Sequence, residues 1–311
     1  MLLITILILL IAALGTTCYV AFRFFNKQEF YKKEMAETLK NIKRNELKNS
    51  RDLDMARRIQ SGLLIANKIQ YKNYQLSAVC FPAEKIGGDF FILQKNISNR
   101  LDTLESETKG IIHLKNKKDE TLNFAIGDVS GHGVASALVM ILAKNTLEDL
   151  YQKKYSPKKI MQIANKKLIE YTEGSAINFV TAFVAMLDIV NNKLVFSKAG
   201  HNSPLLFRKN GEIVSLETDG VFLGMFNSPE FEEKEVTLEK GDKIFLYTDG
   251  LNEAKNSKDE MLGTQKLIEL IKQNIWLSGE NLFQKIMDEI KAFTDKTSLN
   301  DDVTMILLEI N

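Results

Sequence analysis

Aspartates recur in this chain where apolar runs meet glycine. Asp128 ends the run LNFAIG and opens the turn VSGHG, Asp89 follows Gly87-Gly88, and Asp249 precedes Gly250 after KIFLYT. Asp301-Asp302 lead into the run VTMILLEI. Carboxylates at strand ends can meet at one edge of stacked sheets, where their like charges repel and hard divalent cations relieve the repulsion. Two such ions can clamp a phosphate and lower the pKa of a bridging water, so that the resulting hydroxide attacks phosphorus in line. No nucleophilic side chain is then needed, and no GxSxG-type motif is present. A strand-end Asp is more often a turn former than a ligand, but several in one setting favour metal.

Other chemistries have less support. The chain has three histidines, His113, His132 and His201, which argues against a multi-histidine metal site. Two cysteines, Cys18 and Cys80, exclude a disulfide framework or a Cys-rich zinc site and fit a reducing compartment. Forty acids against 41 bases give a near-neutral chain, which does not read as a nucleic-acid binder.

The elements that must position these acids are legible from residue 75 onward. LSAVCF (76–81) reads as a strand, and residues 94–120 read as an exposed loop or an extended hairpin between two core strands. Leu122–Ile126 is the central strand. Val134–Gln152 reads as a helix with Ala135, Leu138, Ile141, Leu142 and Leu147 on its apolar spacing. Ser156-Pro157 starts a second helix that runs to about Tyr171. Hairpins are predicted around Asn191-Asn192 and Asn210-Gly211. A buried strand at 243–247, helices at 264–274 and 280–293 and a last strand at 303–310 complete the chain. Blocks of strands joined by tight hairpins favour an α+β architecture of antiparallel sheets with helices outside.

The N-terminal part is different. Residues 1–22 carry no charge and are long enough to cross a bilayer as a single helix. A cleaved signal peptide would want a basic region before the apolar one, whereas here the bases follow it. Residues 23–60 hold eleven Lys/Arg against six Asp/Glu, which sets that side in the cytoplasm and could lie on anionic headgroups, or be a plain solvated face. Positions 35, 39, 42, 46, 49, 53, 56, 60 and 63 follow a 4-3 spacing that Glu46, Asn49 and Gln60 interrupt. The expectation is a long helix that pairs with its twin in a homodimer, or a single helix whose end, DMARRIQSGLL (54–64), docks on the next domain. The expected divisions are a transmembrane anchor at 1–22, a basic helical linker at 23–64 and a catalytic domain at 65–311.

Successive blocks carry a resemblance. GGDF (87–90), GDVSGHGVASALVM (127–140), FVTAFVAMLD (179–188), AGHNSPLL (199–206), LG (223–224), GDKIFLYTDGLNEAKN (241–256) and DDVT (301–304) resemble the SpoIIE/RsbU-type serine phosphatases, the bacterial branch of the PP2C-like PPM phosphatases. The likeness covers roughly residues 54–311. It implies a PP2C-like αββα sandwich with two Mn²⁺ or Mg²⁺ ions, and hydrolysis of phosphoserine or phosphothreonine on a regulatory protein, often of the anti-anti-sigma type used in partner switching. By motif, Asp128 would bridge both ions, the Val129 carbonyl would complete one shell, Asp249 and Asp301 would be further ligands, and Asp89 would hold a bound water or a third ion. Catalysis would rest on Asp128 and Asp249. Gly131, His132 and Asp302 are candidates for the phosphate cleft, although His132 fits equally well as a turn residue at the rim. His201 reads as a hydrogen-bonding residue of its turn. Arg57, Ile59, Gln60, Leu63 and Leu64 lie where the family's switch helix would be.

Three features depart from the family pattern. Ile65 follows Leu63-Leu64 where proline is common, the interval from Asp89 to Asp128 is long, and no sensor domain fits between anchor and helix. A binding module of the same fold that holds a phosphoprotein without turnover is the alternative. GGDF also occurs in a nucleotide-cyclase signature, but no cyclase blocks surround it.

Overall fold

The structure is a computed structural model that describes residues 2–64, 68–104, 113–172, 179–295 and 299–311. Residues 97–104, 113–119 and part of 2–36 are described by backbone alone. The chain divides into two units, Met1–Met55 and Ala56–Asn311. The first unit lies within one helix, α1 (Leu2–Leu63), which covers both the expected anchor and the expected linker. The anchor reading falls largely on residues 1–13, whose side chains lie outside the described residues. Among the described residues no helix is long and apolar enough to cross a membrane.

In the second unit the strands are β1 (Lys68–Tyr71), β2 (Tyr74–Phe81), β3 (Phe90–Leu104), β4 (His113–Val129), β5 (Val180–Asp188), β6 (Lys193–Ala199), β7 (Leu205–Phe207), β8 (Ile213–Ser215), β9 (Lys234–Thr237), β10 (Lys243–Tyr247) and β11 (Val303–Ile310). The helices are α2 (Val134–Gln152), α3 (Pro157–Thr172), α4 (Thr264–Asn274) and α5 (Gly279–Phe293). Two sheets form, β1-β2-β11-β10-β7-β8 and β3-β4-β5-β6-β9, and every ladder is antiparallel.

The layers follow from strand periodicity. On β11, Ile306, Leu308 and Ile310 face Leu122, Phe124, Ile126 and Phe183 of the other sheet. The alternate residues Val303, Met305 and Leu307 meet Leu267, Ile271, Phe283 and Ile286 of α4 and α5. Ala125, Val129 and Val184 of the second sheet meet Met140, Leu147, Ile160 and Leu168 of α2 and α3. Both faces of each sheet are therefore covered, and all eight residues of β11 are buried. The result is the expected αββα sandwich. Residues 94–120 give the arms of the β3–β4 hairpin, paired from Phe90↔Gly127 to Leu104↔His113, and residues 105–112 at its tip lie outside the described residues.

The apolar face of α2 is a correction. Ala135, Leu138 and Leu142 are exposed, Leu138 by 58%, while Ala137, Met140, Ala143, Leu147 and Tyr151 pack inward. The helix carries apolar residues on both stripes, so spacing alone left its rotation undecided, and the stripe of Met140, Ala143, Leu147 and Tyr151 is the one that packs into the core. Leu138→Asp should change stability by no more than about 0.5 kcal/mol, whereas Met140→Asp, which buries an unpaired carboxylate, should leave no cooperative melting transition.

Candidate active site

The register places the acids. Val129 pairs with Val180, Phe90 with Gly127, Tyr247 with Met305 and Val303 with Phe81. Asp128, next to last in β4, and the loops carrying Asp89, Asp249 and Asp301 thus lie at the same end of the two sheets. Glycines bring those loops into contact. A side chain on Gly88 would put its Cβ 2.7 Å from the Val129 carbonyl oxygen and 3.3 Å from Asp128 Oδ1, and one on Gly250 would put it 2.0 Å from the Asp302 carbonyl oxygen. At both positions backbone lies directly on backbone.

Asp302 and Thr248 fix the loop that carries Asp89. Asp302 is buried and accepts hydrogen bonds from the amides of Ala83 at 2.8 Å, Gly88 at 2.7 Å and Asp89 at 3.4 Å. Its carboxylate thereby holds the 83–89 loop while still acting on Asp89 and Asp128. The Thr248 hydroxyl donates to Asp89 Oδ2 at 2.8 Å, and its oxygen accepts from the Thr304 amide at 2.8 Å. Nothing in the residue type set Thr248 apart in the sequence. Its place directly before Asp249 was the available signal.

The acids act on one another. Burial, then Asp128 and Asp302, push the Asp89 carboxyl well above its ordinary range. Asp128 is pushed up to about 7 by burial and then by Asp249, Asp301 and Asp302, against a hydrogen bond with Asp89. Asp249 rises to about 6 through burial, then Asp301 and Glu253. Asp301 is raised by burial and, more weakly, by Asp302, while the Asp302 amide and His132 oppose the shift. Among the described residues, no three His, Cys, Asp or Glu side chains are grouped closely enough to hold a metal ion as they stand. The donor set nevertheless fits a hard divalent cation. All donors are oxygen, the charges bearing on them come from carboxylates, and His132 at Asp301 is the one base among them.

The remaining candidates are placed as follows. Gly131 is exposed with φ 87°, and His132 is exposed and lies 3.5 Å from Glu84 at the rim. His201 is buried, its Nδ1 2.9 Å from Thr181 Oγ1, and burial followed by the Lys198 charge pushes it down to about 3, with the Tyr247 backbone opposing. At the end of α1, Arg57 and Ile59 are exposed, and Leu63 and Leu64 are half-buried, Leu64 against the sheets. Gln60, a polar break in the 4-3 stripe, is buried. Its amide donates to the Gly87 carbonyl at 2.7 Å and accepts from the Gly87 amide at 3.1 Å. The question raised by Ile65 falls on residues 65–67, outside the described residues.

The family described as Stage II sporulation protein E (SpoIIE) matches residues 118–311, more than half of the chain. The chain belongs to the SpoIIE family of PP2C-like serine/threonine phosphatases. It is 25% identical over 273 residues to the phosphoserine phosphatase RsbU of Bacillus subtilis (strain 168), covering 88% of this chain and 73% of that one. It spans 45% and 59% of the length of two further curated relatives. Its fold is that of the SiaA-PP2C domain of Pseudomonas aeruginosa, with TM-score 0.66 and 18% identity, covering 86% of this chain and 98% of that one. RsbX, solved in complex with magnesium, has TM-score 0.54 and 18% identity over 79% of this chain and 99% of its own. Asp128, Asp249 and Asp301 fall within the family match, and Asp89 precedes it.

Proposed function

We propose that this SpoIIE-family chain hydrolyses phosphoserine or phosphothreonine on a regulatory protein of the anti-anti-sigma type, with two Mn²⁺ or Mg²⁺ ions and a third position at Asp89. The observation that carries the reading is the convergence of Asp89, Asp128, Asp249 and Asp301 at one sheet edge, each raised by burial and by its neighbours. Asp128, the Val129 carbonyl, Asp249 and Asp301 would hold the ions. When bound, the ions neutralise these carboxylates, draw charge from the phosphate oxygens and lower the pKa of a water facing phosphorus. The chain's own residues supply the geometry. Thr248 orients Asp89, Asp302 ties the 83–89 loop to the start of β11, and the exposed Gly131–His132 turn would border the phosphoryl group. The name of RsbU supports phosphoserine as the substrate group.

The test is phosphate release from a phosphoserine-bearing regulatory protein with Mn²⁺ and with Mg²⁺. Release that needs the metal supports the reading. Tight binding of the phosphoprotein with no release under either metal would instead identify a binding module.

The uncharged segment 1–22 would anchor the chain in the cytoplasmic membrane as a single pass, with the catalytic domain in the cytoplasm. The 4-3 spacing of 35–63 would pair two copies. The end of α1 would then report on the site through Gln60. Gln60→Ala leaves the Gly87 amide and carbonyl without their side-chain partners, at a cost of about 1–3 kcal/mol for each buried group left unsatisfied. The expected result is a kcat lower by about tenfold and a higher Mn²⁺ requirement, read by steady-state kinetics over a Mn²⁺ series. Gln60→Glu keeps the acceptor for the Gly87 amide but presents a second acceptor to the Gly87 carbonyl, so it should not rescue.

A further inference from the structure

Asp128 and Asp249 stand on different sheets. Within a sheet, ladder hydrogen bonds hold neighbouring strands about 4.8 Å apart, but between packed sheets the spacing of about 10 Å is set by side chains. The distance between these two acids is therefore not fixed by the strands that carry them. The turn 200–204 lies where it could be fixed. There the chain leaves β6 of the second sheet for β7 of the first, and β7 pairs with β10, through Leu205↔Phe245, just before Asp249.

Two side-chain contacts join this turn to the two strand ends. His201 Nδ1 is 2.9 Å from Thr181 Oγ1, and Thr181, opposite Asp128 in the β4–β5 register, is 3.4 Å from the Asp128 carbonyl oxygen. The Thr181 hydroxyl thus lies between the imidazole and the end of β4, with its direction of donation set by the ring tautomer. Next along the chain, the Asn202 amide donates to Asn252 Oδ1 at 3.0 Å, in the turn that follows Asp249. The turn itself is held by Gly200, at φ 63°, whose amide donates to the Gly220 carbonyl at 3.2 Å.

We propose that His201 and Thr181, together with the Asn202–Asn252 pair, are positioning residues that set the span between Asp128 and Asp249 and so the affinity of the site for its divalent ions. His201 is buried, so its effect would pass through Thr181 and the strand end.

The inference rests on the metal-dependent reading, and its test reads metal binding apart from turnover. Mn²⁺ binding to the full chain is titrated by calorimetry, and kcat, KM for the phosphoprotein and the melting temperature without metal are measured beside it. His201→Leu and Thr181→Val should each weaken Mn²⁺ binding by about tenfold and lower kcat, with KM unchanged within about twofold. The double variant should be no worse than the worse single one, because both break one chain of contacts. His201→Asn, whose amide can stand where Nδ1 does, and Thr181→Ser should recover most of the loss. His201→Gln, which reaches toward the Nε2 position, should not. If His201→Leu does not fold, the Thr181 pair and His201→Asn against His201→Gln still decide the matter. Mn²⁺ affinity within twofold of wild type in the folded variants, or fully additive losses, overturns this inference alone. A wild-type chain that binds no Mn²⁺ overturns the metal-dependent reading and this inference with it.

Discussion

Asp128→Asn should abolish phosphate release, by a factor on the order of 10³ or more, and yet raise the melting temperature of the metal-free protein at pH 8. Both effects have one cause. Asp128 sits half-buried among Asp89, Asp249, Asp301 and Asp302, and its carboxyl is pushed up to about 7. An acid whose folded value lies above its unfolded one, about 4, favours the fold only while neutral. The penalty is absent below about pH 4, grows as pH rises through the interval and is complete above about pH 7. At pH 8 its removal should add roughly 2–4 kcal/mol, which is several degrees for a domain of this size. Differential scanning calorimetry at pH 8 and pH 4 checks the sign, since the gap between variant and wild type should close at pH 4. Added Mn²⁺ should reverse the order, raising wild type above the variant. A variant that melts lower than wild type without metal at pH 8 would show that the acids are not in electrostatic conflict.

Much of this site was legible because its signals were local. An apolar run that stops at Asp beside Gly gives both the strand and its end, and β11 was readable to the residue from VTMILLEI. Sheet order was not legible. β11 lies between β2 and β10, so its neighbours come from opposite ends of the domain, and such pairings leave no trace in spacing. The edge strand β1 escaped for a different reason. Its hairpin turns at Lys72, which takes φ 54° although lysine carries no turn signal, and its four residues alternate only between exposed and half-buried. β9 is likewise four residues on a sheet edge with a weak apolar face.

The supporting residues were harder to read than the acids. A threonine before Asp249 and a threonine opposite Asp128 look like ordinary strand residues, because their role depends on partners 159 and 20 positions away. Gln60 is the informative case. It breaks the 4-3 stripe and so weakens a coiled-coil reading, but the break is where the helix bonds the loop of Asp89. A polar residue on an apolar stripe marks either a flaw in the pattern or a buried partner, and the sequence gives no means of choosing. Asp302 shows the converse. Next to a candidate ligand it reads as a residue of the phosphate cleft, and only the structure shows that its carboxylate also accepts from three loop amides.

Gly88→Ala should cost at least about 100-fold in activity with only about 1–3 kcal/mol lost in stability. The reason is the added Cβ, which would lie 2.7 Å from the Val129 carbonyl oxygen and 3.3 Å from Asp128 Oδ1. Backbone conformation is not at issue, because Gly88 does not adopt a positive φ. The carbonyl cannot easily move, since Val129 is buried at the end of β4 and in register with Val180. The loop must therefore lift, and as it lifts Asp89 leaves Thr248 and Gly87 leaves Gln60. Gly133→Ala is the control. Gly133 takes φ 85° and ψ −157°, a region almost confined to glycine, but nothing lies within 4 Å of its added Cβ, so the change costs about 1–3 kcal/mol of backbone strain without pushing on Val129 or Asp128. Thermal melts should then rank the two variants close together, whereas phosphate release and Mn²⁺ titration should separate them by an order of magnitude or more. Equal activity in the two would mean that the contact of Gly88 with Val129 does not hold the site together, and that the loop of Asp89 is free to move without cost to the chemistry.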